Sequence, residues 1–311
     1  MIDSGERSGH EGLEQPGTLA RLFLGTMRRH DRRAVLLHYD GERWRETPDW
    51  RLERQVIRLA LLLRERARLA PGDRVAIVSR LRPESVVAEL VAVAQGALAV
   101  AIDPDLPAGD LRAAIEQAAP AIALVSDAAQ GELVSGARAV ICFEGNAEGA
   151  WAWSEALELG GTLDTPERAQ SFRAQAREVP AESHAFGYVV GTDGASGCQF
   201  LSHAEAVARM RALRAESPAR KGAVALVAAP PTLAARLALL SFVFDGSTTC
   251  AVGMPGREVA GLRPDWVVGP AGVPEPARPA GPAPHRAGAR GLFARFLAPL
   301  RRDPPETKAE R

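Results

Sequence analysis

The sequence predicts an α/β protein built as two consecutive layered lobes of mainly parallel β-sheet with flanking helices. Three observations predict this. Short apolar runs alternate with longer stretches of helical period along most of the chain. The apolar runs are continuous rather than alternating, as expected of parallel strands buried on both faces. The chain has 311 residues, 46% hydrophobic and 24% charged, enough apolar material for one large α/β domain or two smaller ones.

Residues 1–16 are polar and aperiodic and predict a disordered N-terminus. A first α/β lobe is expected over 17–148. It opens with a helix from Thr18, a suitable N-cap, with Leu19, Leu22, Phe23 and Met27 on one face. Asp40-Gly41 between 34–39 and 42–46 signals a hairpin. Residues 50–69 form an amphipathic helix, with Leu52, Val56, Leu59 and Leu63 recurring at helical spacing, stopped by Pro71-Gly72. Then come a strand (74–79), a helix opened by Pro83 (83–95), a strand (98–102), a helix (107–118) and strands at 121–126 and 138–143.

Residues 149–180 are helical and polar and are expected to connect the lobes. The second lobe, 181–269, carries strands at 185–190, 199–202, 223–228, 248–252 and 265–269, with helices at 203–216 and 232–244. From 270 to 291 there are six prolines and four glycines, the composition of a linker. A short amphipathic basic helix follows at 291–300, within a linker-and-tail region of 270–311.

Composition excludes several function classes. Thirty-eight Lys+Arg balance 38 Asp+Glu, so the basic excess of a nucleic-acid binder is missing. Only two residues are lysines, Lys221 and Lys308, which confines lysine chemistry to those positions. Cys142, Cys198 and Cys250 lack metal or disulfide spacing and read as incidental thiols of a cytoplasmic protein. The six histidines show no ligand spacing. The two longest apolar stretches, 86–102 and 223–244, are broken by polar residues, glycine or proline, and do not read as membrane spans.

The most distinctive local feature follows the strand at 185–190. Gly191, Thr192, Asp193, Gly194, Ala195, Ser196 and Gly197 form a loop with three glycines and two hydroxyls. Such a loop brings backbone N–H groups against phosphate oxygens. It lacks the G-K-[ST] of a P-loop and the G-x-G-x-x-G of a dinucleotide fold, and on these residues alone a plain turn fits equally well. Asp193 places a carboxylate where an anion would sit, and no lysine follows before Lys221.

With its flanks, residues 188–203, the loop resembles the ATP phosphate-binding motif of adenylate-forming enzymes, Y-T-S-G-T-T-G-x-P-K-G-V-x-x-[ST]-H. Tyr188, Gly191, Thr192, Gly194, Ser202 and His203 match it without a gap. Pro71-Gly-Asp-Arg-Val-Ala-Ile-Val-Ser, Arg82-Pro-Glu, Gly96-Ala-Leu-Ala-Val-Ala-Ile-Asp-Pro and Leu262-Arg-Pro-Asp are similar to other segments of the long-chain acyl-CoA synthetase branch. The resemblance runs in order over residues 16–273. It implies the fold of the first part of that enzyme's large domain, ATP or AMP with magnesium as ligand, and a relation to fatty acid activation.

The departures from the pattern imply a degenerate member. Gly197 stands where the family has its lysine, Asp193 replaces a threonine, Ser196 a proline and Cys198 a glycine. The family's later adenine, ribose and lid motifs have no counterpart in these 311 residues. The expectation is weak nucleotide binding at residues 191–197, no catalytic residue, and a regulatory or scaffolding role without independent ligase activity. The alternatives are one half of a split acyl-CoA ligase completed by another chain, and a relic without function. His203 starts a helix and is expected to be structural rather than catalytic; a place near the loop is open to it. Apolar surface near 223–252 is expected to take a protein partner or a second copy. The 290–302 segment is expected to pack back on the chain's own core or to meet a partner, while Pro299 and the short length argue against a peripheral membrane contact.

Overall fold

The protein is described here by a computed structural model covering residues 17–29, 32–39, 42–190, 197–217, 222–245, 249–252, 262–269 and 274–276. The expected N-terminal disorder and the tail helix at 291–300 lie outside the described residues. The predicted α/β class is what forms, in two mainly parallel sheets with helices between and beside them.

The elements, in chain order, are α1 (Leu19–Arg29), β1 (Leu36–Tyr39), β2 (Trp44–Thr47), α2 (Asp49–Arg66), β3 (Arg74–Val78), α3 (Pro83–Ala94) and β4 (Leu98–Ile102). Then follow α4 (Ala108–Ala118), β5 (Ile122–Val125), α5 (Ala128–Gly131), β6 (Ala139–Cys142), β7 (Trp151–Ala152), α6 (Trp153–Leu163) and α7 (Pro166–Arg177). The rest are β8 (His184–Val190), β9 (Gly197–Ser202), α8 (His203–Glu216), β10 (Val224–Val227), α9 (Leu233–Asp245), β11 (Thr249–Val252), β12 (Trp266–Val268) and β13 (Pro274–Pro276).

Local chemistry explains the boundaries. Asp49 opens α2 and accepts bonds from the Arg32 backbone N–H at 2.7 Å and its guanidinium at 2.9 Å. Arg64 and Arg66 close the same helix, where a cation favours the carbonyl end. Helix α3 is buried over 85–94, because it lies between the two sheets and has no solvent face. Its stop is Gly96, whose φ of +69° suits a residue without Cβ.

The sheets do not follow the expected segment boundaries at 148 and 181. The first sheet has the order β7-β6-β5-β3-β4-β8-β9, so β8 and β9 join strands of the expected first lobe. The second has the order β13-β12-β10-β11-β1-β2, so the N-terminal hairpin joins strands from beyond residue 223. Leu36 pairs in parallel with Cys250, and Ala99 with Phe186. Residues 149–180, expected as a connection, supply an edge strand and two helices that pack on α2. Gly160 makes that packing possible, since a Cβ there would lie 2.2 Å from the Arg58 carbonyl oxygen. The expected linker at 270–291 begins instead with β13, whose prolines sit on an edge strand that has no outer neighbour to bond.

Four layers result among the described residues. Helices α4 and α5 cover the outer face of the first sheet, where Val78, Val100 and Val125 meet Leu111 and Ile115. Its inner face, with Ile77 and Leu124, packs on a central helical layer that includes α2, α3, α8 and α9. The second sheet closes that layer through Leu36, Ala225, Val227 and Val268. Two ion pairs are buried in the centre. Arg236 Nε holds Glu89 Oε1 at 2.7 Å, and Arg214 Nη2 lies 2.8 Å from Asp245 Oδ2.

Candidate functional site

Parallel strands bind ligands at their carboxyl ends, in the crevice where successive connections leave for opposite faces. In the first sheet that point lies between β3 and β4. The chain leaves β3 into α3 on the inner face and leaves β4 into α4 on the outer face. Strand β8 runs parallel to β4, so the loop after Val190 emerges at the same end. Of the predicted loop, Gly191, Thr192, Asp193, Gly194, Ala195 and Ser196 lie outside the described residues. Gly197 opens β9 opposite Val190, which fixes the loop as the tip of the β8–β9 hairpin.

The turns beside it carry charges that the sequence showed only as parts of resembling segments, as with Arg82, Glu84 and Asp103, or did not single out, as with Arg80, Asp105 and Glu144. Arg80 donates two bonds to Asp105, at 2.8 and 2.7 Å, bridging the ends of β3 and β4. Asp103 Oδ1 accepts from the Asp105 backbone N–H at 3.0 Å. Arg82 holds Glu84 at 2.8 Å and Glu144 at 2.6 Å, and its guanidinium lies over the Phe143 ring at 5.6 Å. Burial works to lower the Arg82 pKa, but the two carboxylates outweigh it and hold it above the usual value. No local signal could have revealed the Arg80–Asp105 and Arg82–Glu144 pairs, whose members are 25 and 62 positions apart.

His203 sits at the other end of β9. Six strand residues at about 3.4 Å each separate it from the loop by roughly 20 Å, so a place near the loop is ruled out. Its structural role is visible instead. It is fully buried, and its Nδ1 accepts the Leu19 backbone N–H at 3.3 Å, fastening the start of α1 to the start of α8. Before it, Ser202 and Glu205 form a reciprocal cap. Ser202 Oγ accepts from the Glu205 N–H at 3.2 Å, and Glu205 Oε2 accepts from the Ser202 N–H at 2.8 Å. The family-matching Ser202 and His203 therefore position the helix after the loop.

Burial pushes the His203 pKa down to about 4. An unfolded histidine takes a proton below about pH 6.5, and the folded state refuses it until about pH 4. Stability is therefore held above pH 6.5 and lost as pH falls toward 4, by about 3 kcal/mol over the full window. His203→Asn keeps an acceptor for Leu19. It is expected to flatten this loss in urea melts between pH 6.5 and 4.5; an unchanged pH slope would refute the assignment.

Among the described residues, no group of three or more His, Cys, Asp or Glu is assembled as a metal site, and no helix is long and apolar enough to cross a membrane. Cys142 is a buried free thiol, its pKa pushed up mainly by burial. Two surface depressions, of about 420 Å³ beside Arg21 and Arg177 and about 340 Å³ beside Arg32 and Trp50, include no residue of the turns after β3, β4 or β8.

This architecture is the fold of acyl-CoA synthetase-like proteins, matching their N-terminal lobe. It is similar to a protein described as a long-chain-fatty-acid CoA ligase of Rhodopseudomonas palustris CGA009 (TM-score 0.60, 16% identity, 78% of this chain and 59% of that one). It is also similar to acetoacetyl-CoA synthetase of Streptomyces lividans (TM-score 0.62, 21% identity, 78% and 40%). A third similar structure is the fatty acyl-adenylate ligase of L. pneumophila, solved with acyl adenylate and pyrophosphate (TM-score 0.58, 17% identity, 79% and 41%). The match thus spans about two fifths to three fifths of those chains. No curated protein matches in sequence. The sequence pattern of the AMP-binding enzymes matches residues 27–261, and the chain belongs to that family.

The groups present at this end of the sheet do not fit a magnesium-bound triphosphate. Arg80 and Arg82 already hold carboxylates, and the loop brings Asp193 and no lysine.

Proposed function

We propose that this chain is a degenerate AMP-binding homologue related to long-chain fatty acid activation, binding nucleotide weakly at residues 191–197 and forming no adenylate by itself. Its role on this reading is regulatory or scaffolding, in the cytoplasm, alongside a protein partner. The observation that carries it is Gly197 at the position of the family's phosphate lysine, with Asp193 four residues before it. A charge-assisted bond to phosphate contributes about 1.5–3 kcal/mol, and this loop replaces it with a nearby negative charge.

Calorimetric titration with AMP and with ATP·Mg tests the reading. Binding is expected to be weak for both, and weaker still for Gly194→Asp, which adds a second carboxylate at the tip. Gly197→Lys is expected to tighten ATP·Mg by roughly tenfold or more. Tight ATP·Mg binding by the unaltered chain would overturn the proposal, as would a Gly197→Lys variant with unchanged affinity. The match to only about two fifths to three fifths of the similar structures favours one further reading, half of a split ligase. A second chain that binds at low micromolar concentration and restores adenylate formation would establish it.

A further inference from the structure

A parallel sheet normally has helices on both faces, yet among the described residues the second sheet has them on one. Strands β1, β10 and β11 meet α3 and α9 on the side of Leu36, Ala225 and Val227. Alternation places Leu37, Leu226 and Val267 on the opposite side. They lie in one row across the sheet. Leu37 and Leu226 both register with position 251 of the intervening β11, and Leu226 registers with Val267. Glu275 on β13 ends the row at one edge, and Glu46, which holds Arg33, ends it at the other. Tyr39 and Trp44 extend the apolar surface beside it, their rings 5.6 Å apart. Leu226 is 5% exposed but belongs to neither core cluster, and Trp44 Nε1 is buried with no hydrogen-bond acceptor among the described residues.

We infer that this face is a docking site for the chain's own segment 290–302, Arg-Gly-Leu-Phe-Ala-Arg-Phe-Leu-Ala-Pro-Leu-Arg-Arg. Leu292, Phe293, Phe296, Leu297 and Leu300 fall on one side at helical spacing, with Arg290, Arg295, Arg301 and Arg302 around them. An apolar stripe bordered by arginines thus meets an apolar row ended by glutamates.

Reach is ample. The described chain ends at Pro276, on the edge of this sheet, and residues 277–289 separate it from the segment. Extended, that spacer spans roughly 40 Å. The sheet is about 24 Å across its six strands. A tether of this length gives the segment a millimolar-scale effective concentration, so even a weak contact is populated. This inference does not depend on the nucleotide reading.

Hydrogen exchange on the full chain tests it. Phe293→Asp/Phe296→Asp is expected to speed amide exchange in β10 and β12 by about tenfold and to leave β3–β6 unchanged. A synthetic 290–302 peptide added in trans is expected to restore protection. Leu297→Ala serves as the milder variant should the double one lose protection throughout. Unchanged β10 and β12 exchange in both variants would overturn the inference. So would a concentration-dependent protection of that face in the unaltered chain, which assigns it to a second copy. Loss of binding to phosphatidylserine vesicles without a change in exchange would assign the segment to a lipid surface instead.

Discussion

Purified protein supplied with ATP, magnesium and a fatty acid is expected to form no acyl-adenylate, measured by hydroxamate trapping or pyrophosphate release. Adenylation stabilises negative charge developing on the leaving pyrophosphate, and preorganised cations and metal ions supply most of that stabilisation. Losing one such contact costs roughly two to three orders of magnitude in rate. Gly197 removes one, and Asp193 adds repulsion at the same tip. The neighbouring Arg80 and Arg82 are engaged with Asp105, Glu84 and Glu144. Gly197→Lys is therefore expected to gain affinity without gaining turnover, because Asp193 remains. Steady turnover by the unaltered chain, abolished by Gly194→Asp, would sink this expectation.

Replacing Arg236 by methionine is expected to destabilise the fold by about 3–5 kcal/mol, a fall in Tm of roughly 6–10 °C for a chain of this size. Arg236 and Glu89 are 1% and 3% exposed, and the guanidinium also lies 5.3 Å from the Phe186 ring centroid. Removing the cation leaves Glu89 buried without its partner. Its carboxyl pKa is already raised by burial despite Arg236, so the variant is expected to hold Glu89 protonated. The double variant Glu89→Leu/Arg236→Met is expected to recover most of the loss, since apolar pairs of similar volume often equal a buried ion pair. Thermal melts of the two single variants and the double one check this. Additive losses would show that the two side chains do not act as a pair.

Much of the fold was legible because its cues are local. Pro83 opening α3 and the Pro71-Gly72 stop after α2 act within a few residues of the boundary they set. Sheet membership was not legible. Nothing near Leu36 signals that its partner is Cys250 rather than a strand of the next β-α unit, and nothing near Phe186 points to Ala99. The same applies to Glu89 and Arg236, 147 positions apart, each of which reads in sequence only as a polar break in an apolar stretch. Pro274–Pro276 was hidden by its own composition, because a proline run reads as a linker unless it borders a sheet. At the site, the strands at 185–190 and 199–202 that flank the loop were legible as apolar runs, and their antiparallel pairing was not. The Arg80–Asp105 and Arg82–Glu144 pairs depend on which strand ends lie side by side.

The placement of β1 beside β11 also bears on how the chain is made. Leu36 leaves the ribosome about 200 residues before Cys250. At 5–20 residues per second, the hairpin waits on the order of 10–40 s for its parallel neighbour. For that interval the nascent N-terminal half cannot close into a finished lobe. The apolar side of α3 that later meets β1 stays open to solvent or to whatever chaperone attends the ribosome. Vectorial synthesis therefore favours assembly in one late, concerted step over stepwise completion from the N-terminus.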